Sequence, residues 1–265
     1  MTTLAENLDQ KTGTGDLYEK LEEGTIRCHA CAHRCTLRPG RRGICKVRFN
    51  QEGELRVPMG YVASLQVDPV EKKPFYHLMA GSDALTFGML GCNFHCSYCQ
   101  NWLSSQALRD PDAEPAGRFV REISSEEIVQ HGQRQGARVV ASSYNEPLIT
   151  SEWSFEIFSR AKKRGMKAVY VSNGYATPEV LEYLNPVLAG FKVDLKTMRD
   201  EYYRSLGGQL DPVLDSIELA HDLGLWVEVV TLIVPDYNDS ASELMEIAGF
   251  IRSISPHIPW HVTAF

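Results

Sequence analysis

Three cysteines, Cys92, Cys96 and Cys99, follow the apolar run Leu85-Thr-Phe-Gly-Met-Leu-Gly at the spacing Cys-x3-Cys-x2-Cys. Thiolates this close in sequence can converge on one metal centre from a single loop. A closed structural zinc site or an electron-transfer cluster takes four protein ligands, whereas three leave a corner of the metal open to a substrate or cofactor. The spacing therefore points to a site that does chemistry. A zinc knuckle or a set of unrelated reduced thiols is the plainer alternative.

A second array precedes it: Cys28, Cys31, Cys35 and Cys45, at Cys-x2-Cys-x3-Cys-x9-Cys. This is a closed set of four, able to complete a tetrahedron around zinc or to hold an iron–sulfur cluster, and the spacing does not separate the two. Gly40 and Gly43 fit a tight turn that returns Cys45 to the other three. Arg34, Arg38, Arg41, Arg42, Lys46 and Arg48 crowd the segment. A four-thiolate site is net negative, so these cations suit its neutralisation. The alternatives are solvated loop arginines, or a basic surface offered to an anionic substrate or partner. His29 and His33 read as ordinary loop residues beside four cysteines.

The 265 residues suffice for one full core, and 43% hydrophobic with 23% charged residues is the composition of a globular protein. A net charge of -7 argues against a chain held mainly on nucleic-acid phosphates. The start, Met-Thr-Thr-Leu-Ala-Glu-Asn-Leu-Asp-Gln, lacks the basic and apolar regions of a signal peptide, and no apolar run reaches a membrane span. The expectation is a cytoplasmic protein with neither a nucleic-acid nor a membrane partner. Its seven cysteines, closely clustered, then read as metal ligands rather than disulfides.

The elements that must position these groups follow in order. The first dozen residues are polar and expected to be mobile, with a short helix beginning in Leu17–Leu21. Lys46–Asn50 and Glu54–Val57 predict a hairpin, and residues 68–77 a polar connector whose Lys72, Lys73 and His77 could reach the active site but are left out of it, since most connector lysines are solvated. Strand-like runs recur at Leu85–Leu90, Ala137–Ser143, Lys167–Val171, Gly190–Leu195, Leu225–Leu232 and Trp260–Ala264. Between them, Ser124-Ser-Glu-Glu is a capping box, Thr150 precedes a helix ending near Gly165, Thr177-Pro and Asp211-Pro set caps before proline, and Asp239 precedes a last helix. Six strands alternating with helices imply right-handed crossovers and a parallel sheet. Two units are expected: residues 1–80, the Cys-rich module and connector, and residues 81–265, the α/β unit.

The three-cysteine motif, with Tyr98 before its last cysteine, resembles the radical S-adenosylmethionine (SAM) superfamily. The resemblance runs from Arg27 onward. Within the superfamily the chain is most similar to the radical SAM enzyme of the AmmeMemoRadiSam system, itself similar to pyruvate formate-lyase activating enzymes. It rests on the first Cys array, Asp68-Pro-Val-Glu-Lys-Lys-Pro, the Gly91 to Asn101 segment, Tyr144-Asn-Glu-Pro and Asp194-Leu-Lys. The implied fold is a partial (β/α)6 barrel behind a small Cys-rich metal-binding module. The implied cofactors are a [4Fe-4S] cluster on Cys92, Cys96 and Cys99, and SAM, which chelates the fourth iron. A second metal, zinc or Fe-S, belongs to Cys28, Cys31, Cys35 and Cys45.

In parallel barrels the chemistry sits at the C-terminal strand ends. There, Asn145 and Glu146 resemble the segment that meets the SAM ammonium, although Tyr-Asn stands where the family often has two glycines. Asn-Glu-Pro is also a common turn. Ser172 and Asn173 match a turn near the SAM ribose. Asp194 and Lys196, two apart, share one face of a strand; an ion pair explains them alone, and the resemblance implies Lys196 on the SAM carboxylate. Glu228 puts a charge into an apolar strand and suggests a polar lumen, and His261 follows on the last strand as a proton donor or contact. The chain stops at Phe265 directly after a strand, where relatives usually continue, so a shortened product is the expectation.

The implied activity is reductive cleavage of SAM to a 5′-deoxyadenosyl radical, which takes hydrogen from a small-molecule or protein substrate. A low-potential donor of flavodoxin or ferredoxin type supplies the electron. Two alternatives stand beside it. One is a glycyl radical enzyme activase, weakened because the four-cysteine array lies ahead of the barrel. The other is a non-catalytic iron–sulfur or zinc electron carrier or scaffold, which has no use for a SAM pocket.

Overall fold

The computed structural model describes residues 3–265. Its central sheet has seven strands: β1 (Ser64–Pro69), β2 (Asp83–Gly88), β3 (Val139–Ser142), β4 (Lys167–Ser172), β5 (Gly190–Asp194), β6 (Trp226–Ile233) and β7 (Trp260–Ala264). They lie in sequence order across the sheet, and β2 to β7 pair in parallel throughout. The order follows from each strand returning through a helix to its neighbour, the connection a parallel pair requires. This is the α/β sheet expected, with its six parallel strands in place.

A seventh strand was not assigned from sequence. β1 runs antiparallel to β2, with Leu65 opposite Phe87 and Val67 opposite Leu85. Its charged end, Asp68, hides the alternation that precedes it.

The main helices are α1 (Ser125–Arg134), α2 (Ser151–Lys163), α3 (Pro178–Leu184), α4 (Asp211–Asp222) and α5 (Ala241–Ile254). The predicted capping box of α1 is present, and Thr177 caps α3 through the Val180 N–H. Two caps differ from expectation. Leu210, not Asp211, occupies the cap of α4, because Asp211-Pro212 already forms its first turn; Ser240, one residue after Asp239, caps α5 by accepting from the Glu243 N–H.

The first sixty residues differ more. Leu4–Asp9 is a helix with its own Thr3/Glu6 capping box where a mobile start is expected; residues 1 and 2 of that stretch lie outside the described residues. Tyr18–Lys20 is a strand, not the start of a helix, because it pairs with Ile26–Cys28 and is too short to nucleate a helix alone. The hairpin forms between Phe49–Gln51 and Glu54–Pro58, starting later than predicted because Lys46 turns in the left-handed region, φ 67°.

Arg48 and Glu152 join this N-terminal part to α2. Both side chains are 2% exposed, and the guanidinium meets the carboxylate at 2.7 Å through each of its terminal nitrogens. Arg34 makes a second, more exposed fork to Glu179 on α3, also at 2.7 Å twice. The expected cationic shield around the first array thus narrows to Arg48, whose charge favours the Cys35 and Cys45 thiolates. Arg34 and Arg42 are taken by Glu179 and Asp9.

Candidate active site

The three-cysteine loop leaves β2 through Gly91 and runs over the C-terminal edge of the sheet. Gly91 has φ 99°, and a Cβ there would meet the Cys45 carbonyl at 3.1 Å, so the two cysteine loops pass close together. On the other side, a Cβ on Gly208 would stand 2.3 Å from the Phe94 ring. Only glycine lets that connection pack against the cysteine loop.

Cys96 and Cys99 line a cavity of about 510 Å3 together with Tyr98, Asp194 and Lys196. The loop from β2 and the end of β5 therefore meet at one cavity. A larger open groove of about 700 Å3 lies on the outer surface between Glu126, Glu152, Arg160 and Arg164; Glu126 pairs with both arginines there, and the groove contains no cysteine.

Asp194 takes a hydrogen bond from one amine and charge from two. Lys192 binds it closely, and Lys196 lies 3.8 Å away. Burial pushes the Asp194 carboxyl up, but Lys192 and Lys196 outweigh it and hold it below the ordinary range. For Lys196, burial disfavours the charge, while Asp194 and the Cys96 thiolate restore it, so the ammonium stays charged. One carboxylate between two ammonium groups leaves a positive charge facing the cavity.

Glu146 is buried, 3% exposed, at the turn after β3. Its oxygens accept from Ser172 Oγ at 2.7 Å, the Asn173 N–H at 2.8 Å and the Leu148 N–H at 3.1 Å. Burial pushes its pKa up to about 7 despite those donors. Asn173 continues the chain, donating from Nδ2 to Asn93 Oδ1 at 2.7 Å, and Asn93 adjoins Cys92. Glu146, Ser172, Asn173 and the cysteine loop thus form one connected set. Asn145 instead works on the backbone, accepting from the Met89 N–H at 2.9 Å.

The donors fit a metal centre. Burial pushes the Cys92 thiol well up, and Glu146 with the two neighbouring thiolates adds to it. Three crowded thiolates are costly unless cationic metal offsets their charge. Asn93 Nδ2, beside Cys92, is buried with no partner, a donor suited to a cluster or thiolate sulfur.

At the first array Cys28, Cys31 and Cys45 are buried, Cys35 is partly so, and all four are free. Burial raises Cys31 strongly, and the other three thiolates raise it further. His33 bonds the Asn93 carbonyl at 3.1 Å, which joins this array to the cysteine loop.

His261 is placed apart from the cavity. It bonds Glu228 at 2.6 Å, and Glu228 lies near the start of β6.

Among the lining residues outside the predicted set, Lys73, Tyr144 and Lys192 bring polar groups to the cavity, with Lys72 beside them. Lys73 is 4% exposed and donates to Tyr144 Oη at 2.9 Å. Tyr144 holds a left-handed backbone, φ 70°, and Gly88 makes room for it, since a Cβ there would lie 2.9 Å from the Tyr144 Cβ. Lys192 was legible as the third charge on the face of Asp194 and Lys196. Nothing local in the sequence separates the buried Lys73 from Lys72, which is exposed at the cavity's edge.

Residues 87–251 match the family described as the Radical SAM superfamily. An uncharacterized protein of Methanocaldococcus jannaschii is 39% identical over 250 residues, covering 94% of this chain and 73% of the relative. The pyruvate formate-lyase-activating enzyme of Clostridium pasteurianum is 27% identical over 179 residues, 62% of this chain and 67% of that protein. Among solved structures, TYW1 with a lysine-pyruvate adduct bound superposes with a TM-score of 0.52 at 16% identity, over 76% of this chain and 77% of that one, a likeness of fold. Among the described residues no helix is long and apolar enough to cross a membrane.

Proposed function

The chain belongs to the radical SAM superfamily, and from that membership we propose that its cavity binds SAM beside a cluster held by Cys92, Cys96 and Cys99 and presents a substrate for hydrogen abstraction. The [4Fe-4S] cluster and SAM that membership implies supply, when bound, one-electron cleavage of the sulfonium C–S bond to methionine and a 5′-deoxyadenosyl radical, the electron coming from a low-potential donor.

The carrying observation is that Cys96 and Cys99 share one cavity with Asp194 and Lys196. A carrier or scaffold gains nothing from such a cavity. In this reading Lys196 meets the SAM carboxylate, Glu146 stands toward its ammonium and Ser172 with Asn173 toward its ribose. The second metal at Cys28 to Cys45 is part of the same reading, with Arg48 easing its negative charge.

Lys196→Ala tests the pocket. A charge-assisted hydrogen bond contributes about 1.5–3 kcal/mol, so SAM affinity should fall roughly 10- to 100-fold. Iron content should stay at the wild-type level. Equilibrium dialysis of the reconstituted protein gives both numbers, and unchanged SAM affinity excludes the contact.

The likeness to the Clostridium pasteurianum activating enzyme favours one second reading, an activase whose substrate is a glycyl radical enzyme. Anaerobic capture distinguishes the two. A large partner that gains a stable glycyl radical on incubation with SAM supports the activase; substrate turnover without one supports a small-molecule or peptide enzyme.

A further inference from the structure

Near the starts of β6 and β7 lies a second cluster of metal-binding side chains. His77, Glu228 and His261 each offer a ligand atom, and the three atoms lie within 4.8 Å of one another. Glu228 sits near the start of β6, while Leu78 packs against Gly190 at the start of β5, so residues 76–78 close this end of the barrel.

We propose that His77, Glu228 and His261 bind one divalent transition-metal ion of the zinc class, separate from both cysteine arrays. It draws on none of the SAM-pocket residues, so it stands or falls apart from the function proposed above.

No permanent cation among the described residues stands beside Glu228. Its side chain is fully buried, yet among the described residues no Lys or Arg pairs with it; its ionic neighbours are the two histidines. Lys192, its direct neighbour in register on β5, turns its ammonium to Asp194 instead. The Glu228 charge rests instead on neutral donors and on the two imidazoles, the groups that would turn to an ion.

The distances suit an ion. Two ligands about 2.0–2.1 Å from one metal stand roughly 2.9–3.4 Å apart at ordinary coordination angles. Glu228 Oε2 lies 2.6 Å from His261 Nε2 and 3.5 Å from His77 Nδ1, values on either side of that range. Small rotations of the rings bring both onto a shared ion. The His77 side chain is 54% exposed, which provides the ion's route from solvent and the freedom to close on it.

A metal site also needs its ligands held in place by outer hydrogen bonds. Here the His77 and Leu78 N–H groups donate to Glu228 Oε1 at 3.1 Å, and Trp226 Nε1 at 2.9 Å. The Tyr76 N–H donates to Oε2 at 3.0 Å, leaving that oxygen a lone pair for the ion once His261 turns from donor to ligand. Two imidazoles and one carboxylate suit zinc, cobalt or ferrous ion, and three protein ligands leave water in the remaining positions.

The test titrates Co2+ into the whole chain after the three-cysteine array has been reconstituted with iron and sulfide and the four-cysteine array saturated with zinc or an iron–sulfur cluster, whichever it takes up. Wild type should develop visible d–d bands without sulfur-to-metal charge transfer, at one ion per chain. His77→Ala, a change at an exposed side chain, should weaken that binding at least 100-fold while leaving the reduced-cluster EPR spectrum unchanged. Glu228→Gln, which retains a carbonyl acceptor, should do likewise. Absence of nitrogen- and oxygen-ligated Co2+ in wild type, or equal affinity in His77→Ala, overturns the site and leaves a histidine–carboxylate pair closing the barrel.

Discussion

Cys96→Ala is expected to keep its fold and lose SAM cleavage to background. Enzymes commonly supply accelerations of ~10^6-fold or more, and removing one of three ligands removes the group on which that acceleration depends. Cys96 is only partly buried and belongs to a loop outside the strands, so its truncation leaves the sheet contacts untouched. The measurement is low-temperature EPR on anaerobically reconstituted, dithionite-reduced protein, with and without SAM, alongside quantification of 5′-deoxyadenosine. Wild type should show a cluster signal that shifts with SAM. The variant should lose the SAM-responsive part and retain whatever the first array contributes. SAM cleavage at the wild-type rate in Cys96→Ala would remove the three-cysteine assignment altogether. The same change at Cys28 addresses the other array, and a SAM-dependent shift surviving there separates the two centres.

The parts of the site legible in the sequence are those whose spacing is itself the chemistry. Cys-x3-Cys-x2-Cys needs no tertiary information to place three thiols on one loop, and Asp194 with Lys196 share a face by the period of a strand. The six parallel strands were visible because each is an apolar run bounded by capped helices. Residues joined through three dimensions were not visible. Lys73 reaches Tyr144 across 71 positions, and Glu228 gathers the 76–78 backbone from about 150 positions away. β1 escaped for a related reason: an antiparallel edge strand is stabilised by its partner rather than by its own pattern. His261 illustrates the reverse error of proximity in thought. It lies on a strand beside the lumen, as read, but its ring turns to Glu228 and His77 rather than to the SAM-pocket residues.

Glu152→Ala carries the largest expected change in stability. Arg48 and Glu152 are both buried, and the carboxylate also accepts the Asp16 and Leu17 N–H groups at 3.2 and 3.3 Å. Truncation strands a buried guanidinium and two backbone donors at the contact between the Cys-rich segment and α2. Breaking a buried pair on one side costs about 3–5 kcal/mol, which for a chain of this size lowers the melting temperature by roughly 10 °C. Replacing both partners, Arg48→Met with Glu152→Leu, should recover much of the loss, because no charge then remains unpaired. The pair also fixes a pH signature. Burial pushes the Glu152 carboxyl up, but the Arg48 charge and hydrogen bonds outweigh it and hold it below its ordinary value of 4.5. A carboxyl depressed on folding stabilises the protein above its unfolded pKa and loses that contribution as pH falls through the folded one. The gap in stability between wild type and Glu152→Ala should therefore be full at neutral pH and close progressively below about pH 4.5. Urea midpoints measured from pH 7 down to the lowest pH at which wild type still folds decide it; a gap that stays constant across that window would show that the carboxylate's charge contributes nothing to holding the two parts together.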